Sequence, residues 1–119
     1  MRYMFKCCRD FDQDISAWDI SRVLDMEGLF KYASSFNRDL GNWNVSMVRN
    51  MSYTFQHALR FCGWGLRDWN VGEVEEMERM FANAKSFNED IGTWNTESLE
   101  NMSRMFCGAE AARMPLTNR

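Results

Sequence analysis

The sequence lacks most of the features that mark a membrane, metal-binding or nucleic-acid-binding protein. None of its apolar runs reaches the 18 or more residues that a membrane-spanning helix requires. Its one histidine, His57, leaves it without the paired cysteine and histidine spacings of a zinc site. Its 14 Lys and Arg residues stand against 17 Asp and Glu residues, and they form no basic patch. These absences predict no membrane span, no cofactor and no nucleic-acid partner.

The N-terminal segment and the cysteines give no sign of export or of disulfide cross-linking. Residues 1–12 lack the apolar stretch of a signal peptide, so we expect no export signal in this chain. The four cysteines lie at different phases of the repeat described below, or side by side in the sequence, so stacking does not pair them. We therefore expect four free thiols: Cys7, Cys8, Cys62 and Cys107.

What the sequence does contain is a repeat of about 25 residues. Its clearest copy, residues 36–51, reads FNRDLGNWNVSMVRNM, and related copies begin at Phe11, Phe61 and Phe87. A fixed period in this range indicates a solenoid, in which each unit buries its apolar face against its neighbours. We predict a solenoid over residues 1–111 and a C-terminal tail at 112–119. The solenoid consists of a half coil followed by coils 1 to 4, at residues 11–35, 36–60, 61–86 and 87–111.

The apolar residues of each coil follow two spacings. Around the tryptophan that heads each coil they alternate with polar residues, as at Trp18 and Ile20, which predicts a short strand. The next apolar residues are spaced by 3, 4 and 3, the stripe of an amphipathic helix, and in coil 1 they are Val23, Met26, Phe30 and Ala33. The pattern therefore predicts an α/β fold with one short parallel strand and one short helix per coil.

Coil 3 departs from this pattern. It has one extra residue, and Gly63, Trp64 and Gly65 replace the usual Asn-x-Asp. We interpret this as a loop bulge with Trp64 near the surface. Aromatic side chains anchor protein interfaces, so Trp64 is a candidate contact residue, and the alternative is that its ring folds onto coil 3.

The repeat resembles a known family. The spacing of Ile15, Trp18, Ile20 and Val23 is similar to the leucine-rich repeat strand signature. Residues 1–111 as a whole resemble the BspA-like leucine-rich repeat surface proteins, except at Cys62 to Gly65, at Thr96 and at the missing caps. The resemblance implies a right-handed leucine-rich-repeat-like solenoid, displayed on the cell surface or secreted, that serves adhesion and protein binding. It implies no catalytic residues.

A polar column follows the tryptophans and is the candidate ligand face. We interpret it as a surface for a protein or surface ligand, and the alternative is a hydrogen-bonded ladder that only stabilises stacking. It consists of Asp19, Asn44, Asn70 and Asn95. A second column, Asp14, Asp39 and Asp90, offers stacked carboxylates, which suit Ca²⁺ or, alternatively, cap their own loops.

These features favour a non-enzymatic protein-binding repeat module, with a structural spacer or a calcium-binding repeat as alternatives. Every polar residue is either repeated or solitary, so we expect no enzyme. His57 lies in a variable column and is expected to be solvated. Because the N-terminal half coil lacks a polar cap, we expect a monomer within a longer repeat array.

Overall fold

Backbone hydrogen bonds between residues about 25 positions apart stack the chain into coils. The computed structural model describes residues 1–112. An amide of one coil donates to a carbonyl of the next, and the bond recurs at the same position along the stack. The four pairs, each at 2.9 Å, are Tyr3 to Glu27, Gly28 to Ser52, Tyr53 to Glu78 and Arg79 to Ser103. The sequence period of about 25 residues is therefore the length of one circuit of the chain.

Within a coil the chain is a series of β-turns. In coil 2 the turns 51–54 and 55–58 are closed by amide-to-carbonyl bonds of 3.3 and 3.0 Å between their fourth and first residues. Their third residues, Tyr53 and His57, have φ angles of 61° and 58°, as the third position of a type II turn requires. The equivalent residues elsewhere also have positive φ: Tyr3, Cys7, Gly28, Tyr32, Arg79, Asn83, Arg104 and Gly108.

The predicted α/β leucine-rich-repeat-like solenoid, with one helix and one strand in each coil, is wrong. Across residues 1–112 the one helix is a short 3₁₀ helix, Leu66–Asp68, at the coil 3 bulge. In turns 51–54 and 55–58 of coil 2 the first and fourth residues, Met51, Thr54, Phe55 and Ala58, are all buried. Turns placed end to end therefore give the 3-and-4 spacing of apolar residues that the sequence analysis assigned to a helix.

The strand predicted around each tryptophan is also wrong. In coil 1 this stretch forms the turns 15–18 and 20–23, closed by bonds of 3.1 and 2.9 Å. Parallel pairing occurs elsewhere in the coil and, within residues 1–112, amounts to three isolated bridges: Asp25 to Asn50, Asn50 to Glu76 and Glu76 to Asn101. Apolar residues alternate with polar ones here because Trp18 ends one turn and Ile20 begins the next.

Stacked aromatic rings fill the core. Phe30 and Phe36 lie with centroids 4.3 Å apart, and Phe30 stacks on Phe55 of the next coil at 5.5 Å. The same arrangement continues to Phe61, at 4.1 Å from Phe55. These rings are fully buried, so neighbouring coils share one continuous apolar core.

The tryptophans tie each coil to the preceding one. The indole of Trp69 donates to the Leu40 carbonyl at 2.9 Å, and Trp43 and Trp94 repeat this bond at 3.0 and 2.8 Å. All three are 3–5% exposed, whereas Trp18 is 43% exposed. The tryptophan column is therefore a structural hydrogen-bonding column from coil 2 onward.

The four cysteines are free, with Cys62 half-buried and the others exposed. No helix within the described residues is long and apolar enough to cross a membrane. The predicted tail at 112–119 lies outside the described residues, apart from residue 112.

Candidate functional site

The polar column predicted as a ligand face lies on the surface and caps its own turns. Asp19, Asn44, Asn70 and Asn95 are all exposed. The Oδ1 atom of each accepts a hydrogen bond from the amide two residues later, at 3.0 Å in all four coils. This is an Asx-turn, in which the side chain replaces a backbone acceptor. One oxygen of each side chain is thus committed to the fold.

The acidic column is built in the same way. Oδ1 of Asp14, Asp39 and Asp90 accepts the amide two residues on, at 2.9, 2.8 and 2.9 Å. Hydrogen bonds from Ser16 lower the pKa of Asp14. Among residues 1–112, no three His, Cys, Asp or Glu side chains come together in a way that could hold a metal ion. The geometry therefore favours loop capping for this column.

A third column of this kind was missed by the sequence analysis. Asp25, Asn50 and Asn101 each accept the amide two residues later through Oδ1, at 2.9 Å. The signal was present in the sequence, because Asp or Asn recurs here at the repeat period. Each coil is therefore held in shape by up to three side-chain caps.

Glu27 joins the half coil to coils 1 and 2. Its carboxylate accepts hydrogen bonds from Arg2 at 2.9 Å, from the Tyr3 hydroxyl at 2.5 Å and from Asn50 at 3.2 Å. Burial raises the pKa of Glu27, but the hydrogen bonds and the charge of Arg2 outweigh it, so the pKa is lowered overall. Because these bonds run between successive coils, we assign the cluster to stacking.

His57 is half-buried and partnered, which differs from the expected solvated side chain. Its ring stacks on Tyr32 with centroids 4.6 Å apart, and its Nε2 lies 3.1 Å from Nδ2 of Asn83. Burial, together with the charges of Lys85 and Lys31, lowers the pKa of His57. The imidazole is therefore a stacking group in a column that crosses three coils.

Trp64 has an exposed side chain on a tightly held backbone. The indole is 52% exposed, which confirms its predicted place near the surface. Its carbonyl accepts the Leu40 amide at 3.2 Å. Gly63 has φ 95°, and a Cβ added there would overlap the ring of Phe87. The bulge thus presents an aromatic ring from a backbone packed against both neighbouring coils.

A polar cavity opens on the loop that carries the acidic column in coils 1 and 2. Its volume is about 320 Å³, and it is lined by Asp14, Ser16, Arg38, Asp39 and Asn42. The Arg38 side chain is held at its rim by Asp12, whose backbone oxygen and carboxylate lie 3.0 and 3.3 Å from Nε. Trp64 lies on the equivalent loop of coil 3, so the cavity and Trp64 occupy the same part of the repeat in successive coils.

Comparison with known proteins gives one match. Residues 1–118 match the model of a family described as Mycoplasma protein of unknown function, DUF285. No curated protein matches the chain, and no solved structure does. The match covers nearly the whole chain and is consistent with the resemblance to BspA-like repeats, but it does not single that group out.

Proposed function

We propose that this chain, which belongs to the Mycoplasma family of unknown function DUF285, is a non-enzymatic module that binds a protein ligand. By its resemblance to the BspA-like proteins, we place it in an adhesion role at the cell surface or in secreted form. The observation that carries the proposal is Trp64, which is 52% exposed on a backbone pinned between two coils.

A pinned aromatic side chain is an efficient anchor for a partner. A tryptophan buries roughly 200 Å² when fully covered, so covering the exposed half removes about 100 Å² from water. At about 25 cal/mol per Å², this contributes roughly 2.5 kcal/mol to binding. The entropy lost on binding is small, because the backbone of the bulge is already fixed and only the two side-chain torsions of Trp64 become restricted.

A structural spacer without a specific ligand is the second candidate. It is favoured by the Asx-turns, because the polar columns at Asp19 and Asp14 already serve the fold through one oxygen each. A spacer needs stable stacking and nothing more. It predicts that substitutions of exposed residues, Trp64 included, change no interaction.

The test measures binding of the 119-residue protein to a panel of purified cell-surface and extracellular-matrix proteins. Biolayer interferometry gives the Kd for each protein in the panel. For a partner found in the panel, Trp64→Ala should weaken binding about 30- to 100-fold, which corresponds to the roughly 2.5 kcal/mol above. Leu59→Ala is the matched control, since Leu59 is also a large exposed apolar residue, at 41% exposure. Absence of any binding partner would favour the spacer, and a partner whose binding is weakened equally by the two substitutions would refute Trp64 as the anchor.

A further inference from the structure

We infer that a surface groove between Leu24 and Met47 receives an apolar side chain from a partner segment whose next residues are basic. The inference rests on the proposed function and names the chemistry of the partner at a surface separate from Trp64. It is carried by three observations: the groove, the way it departs from the repeat, and the charge beside it.

The groove is small, and two exposed apolar side chains contribute to its lining. Leu24 is 52% exposed and Met47 is 48% exposed. They lie at a cavity of about 120 Å³ whose lining also includes Ser46, Arg49 and Glu73. A cavity of about 150 Å³ in another protein holds one benzene molecule, so this volume suits a single apolar side chain.

Stacking does not require apolar residues at these two positions. The column of Leu24 continues with Arg49, Glu75 and Glu100, and the column of Met47 contains Arg22, Glu73 and Ser98. The other coils thus carry charged or polar side chains at the same sites and still stack. Two large apolar side chains placed diagonally on coils 1 and 2 therefore have no role in the core and are available to a partner.

Beyond the groove, on coils 3 and 4, the charge is negative, whereas the groove itself is lined by one basic residue, Arg49, and one acidic residue, Glu73. Coils 3 and 4 carry six glutamates between the valine or threonine and the positive-φ turn: Glu73, Glu75, Glu76, Glu78, Glu97 and Glu100. Within residues 1–112, these six glutamates take part in a single ion pair, which joins Arg49 and Glu75 at 3.9 Å. A partner that continues from the groove along the stack toward coil 4 therefore meets unneutralised carboxylates, which complement lysine or arginine.

Coil spacing sets the expected sequence of the partner. Coils joined by parallel bridges are about 4.8 Å apart, so coils 3 and 4 lie about 7 and 12 Å from a point midway between coils 1 and 2. In an extended peptide, residues two and four positions on lie about 7 and 13 Å away. An extended segment of the form Leu-x-Lys-x-Lys thus places its leucine in the groove and its lysines at Glu73 and Glu97.

The test uses labelled peptides and fluorescence anisotropy with the whole 119-residue protein. The probe contains the segment Leu-Ser-Lys-Ser-Lys, and its controls replace the leucine by serine or both lysines by glutamate. We expect the probe to bind at least about tenfold more tightly than either control. Raising NaCl from about 50 to about 500 mM should weaken it several-fold, because exposed charges are screened.

Substitutions in the protein locate the binding. Met47→Ser and Glu73→Gln should each weaken the probe about fivefold or more, while Leu59→Ser, at an exposed apolar site elsewhere, should leave it unchanged. All three positions are exposed, so the fold should tolerate the changes. Equal binding of probe and serine control, an unaltered Kd in Met47→Ser, or no binding up to about 1 mM would overturn the inference.

The two proposals fail separately. If Trp64→Ala abolishes binding of a protein partner while the peptides do not bind, the groove is refuted and the binding function stands. If the peptides bind through Met47 but no protein in the panel depends on Trp64, the anchor is refuted and the groove stands.

Discussion

Replacing Trp69 by phenylalanine tests whether the tryptophan column holds successive coils together. The indole of Trp69 donates to the Leu40 carbonyl at 2.9 Å, and the side chain is 4% exposed. The same carbonyl accepts the Trp43 amide at 3.0 Å, so it keeps one partner after the substitution. The loss is therefore one hydrogen bond, about 1 kcal/mol, plus the unfilled volume of the larger ring, about 1–2 kcal/mol.

We expect Trp69→Phe to lower the free energy of unfolding by about 2–3 kcal/mol, and the melting temperature by about 10 °C in scanning calorimetry. The matched control is Trp18→Phe. Trp18 is 43% exposed, and within residues 1–112 its indole has no hydrogen-bond acceptor, so we expect a change of about 0.5 kcal/mol or less. Equal losses in the two variants would refute the assignment of the indole bonds as the links between coils.

Three further predictions concern the bulge and two titrating groups. Gly63→Ala should cost about 3 kcal/mol in urea unfolding, because its φ is 95° and a Cβ would overlap Phe87, whereas Gly92→Ala on the surface should cost about 0.5 or less; similar costs would contradict the tight bulge. The pKa of Glu27 is lowered on folding, so its stabilisation is present above the unfolded value of 4.5 and is lost as pH falls through the folded pKa. Glu27→Gln should flatten the fall in urea midpoint below about pH 4.5, and an unchanged acid profile would refute this role. The pKa of His57 is also lowered, so the fold favours the neutral ring, and stability should fall as pH drops through the unfolded value of 6.5. His57→Asn, compared with the unsubstituted protein by NMR titration and urea midpoints, should remove that slope, and a slope that persists would assign it to other groups.

The core could be predicted from the sequence because the repeat places each apolar column at a fixed phase. Met26, Phe30 and Ala33 in coil 1 were singled out by their recurrence, and all three are fully buried. Recurrence at a constant period requires no assumption about the backbone, since equivalent residues of stacked units occupy equivalent places. Which residues face inward was therefore accessible before the structure.

The backbone conformation was not accessible in the same way. A helix and a chain of type II turns both bring residues three and four apart to one face, so the spacing of Met26, Phe30 and Ala33 does not separate them. The discriminating signal lies between the apolar residues. Gly28 and Gly108 occupy the third position of a turn, where a positive φ is required, and a helix interior disfavours glycine by about 1 kcal/mol.

Candidate contact residues are best sought where the repeat is broken. Repeated polar side chains such as Asn44 and Asp39 recur because successive coils use the same cap, and each accepts the backbone amide two residues later through one oxygen. Their recurrence is thus explained by folding alone. Trp64, Leu24 and Met47 recur in no other coil, lie outside the buried core and are about half exposed. Leu59 also recurs in no other coil, but it lines none of the cavities described above and lies outside the bulge, which is why it serves as the control. Because folding does not account for these three side chains, they are where a function in binding should be tested first.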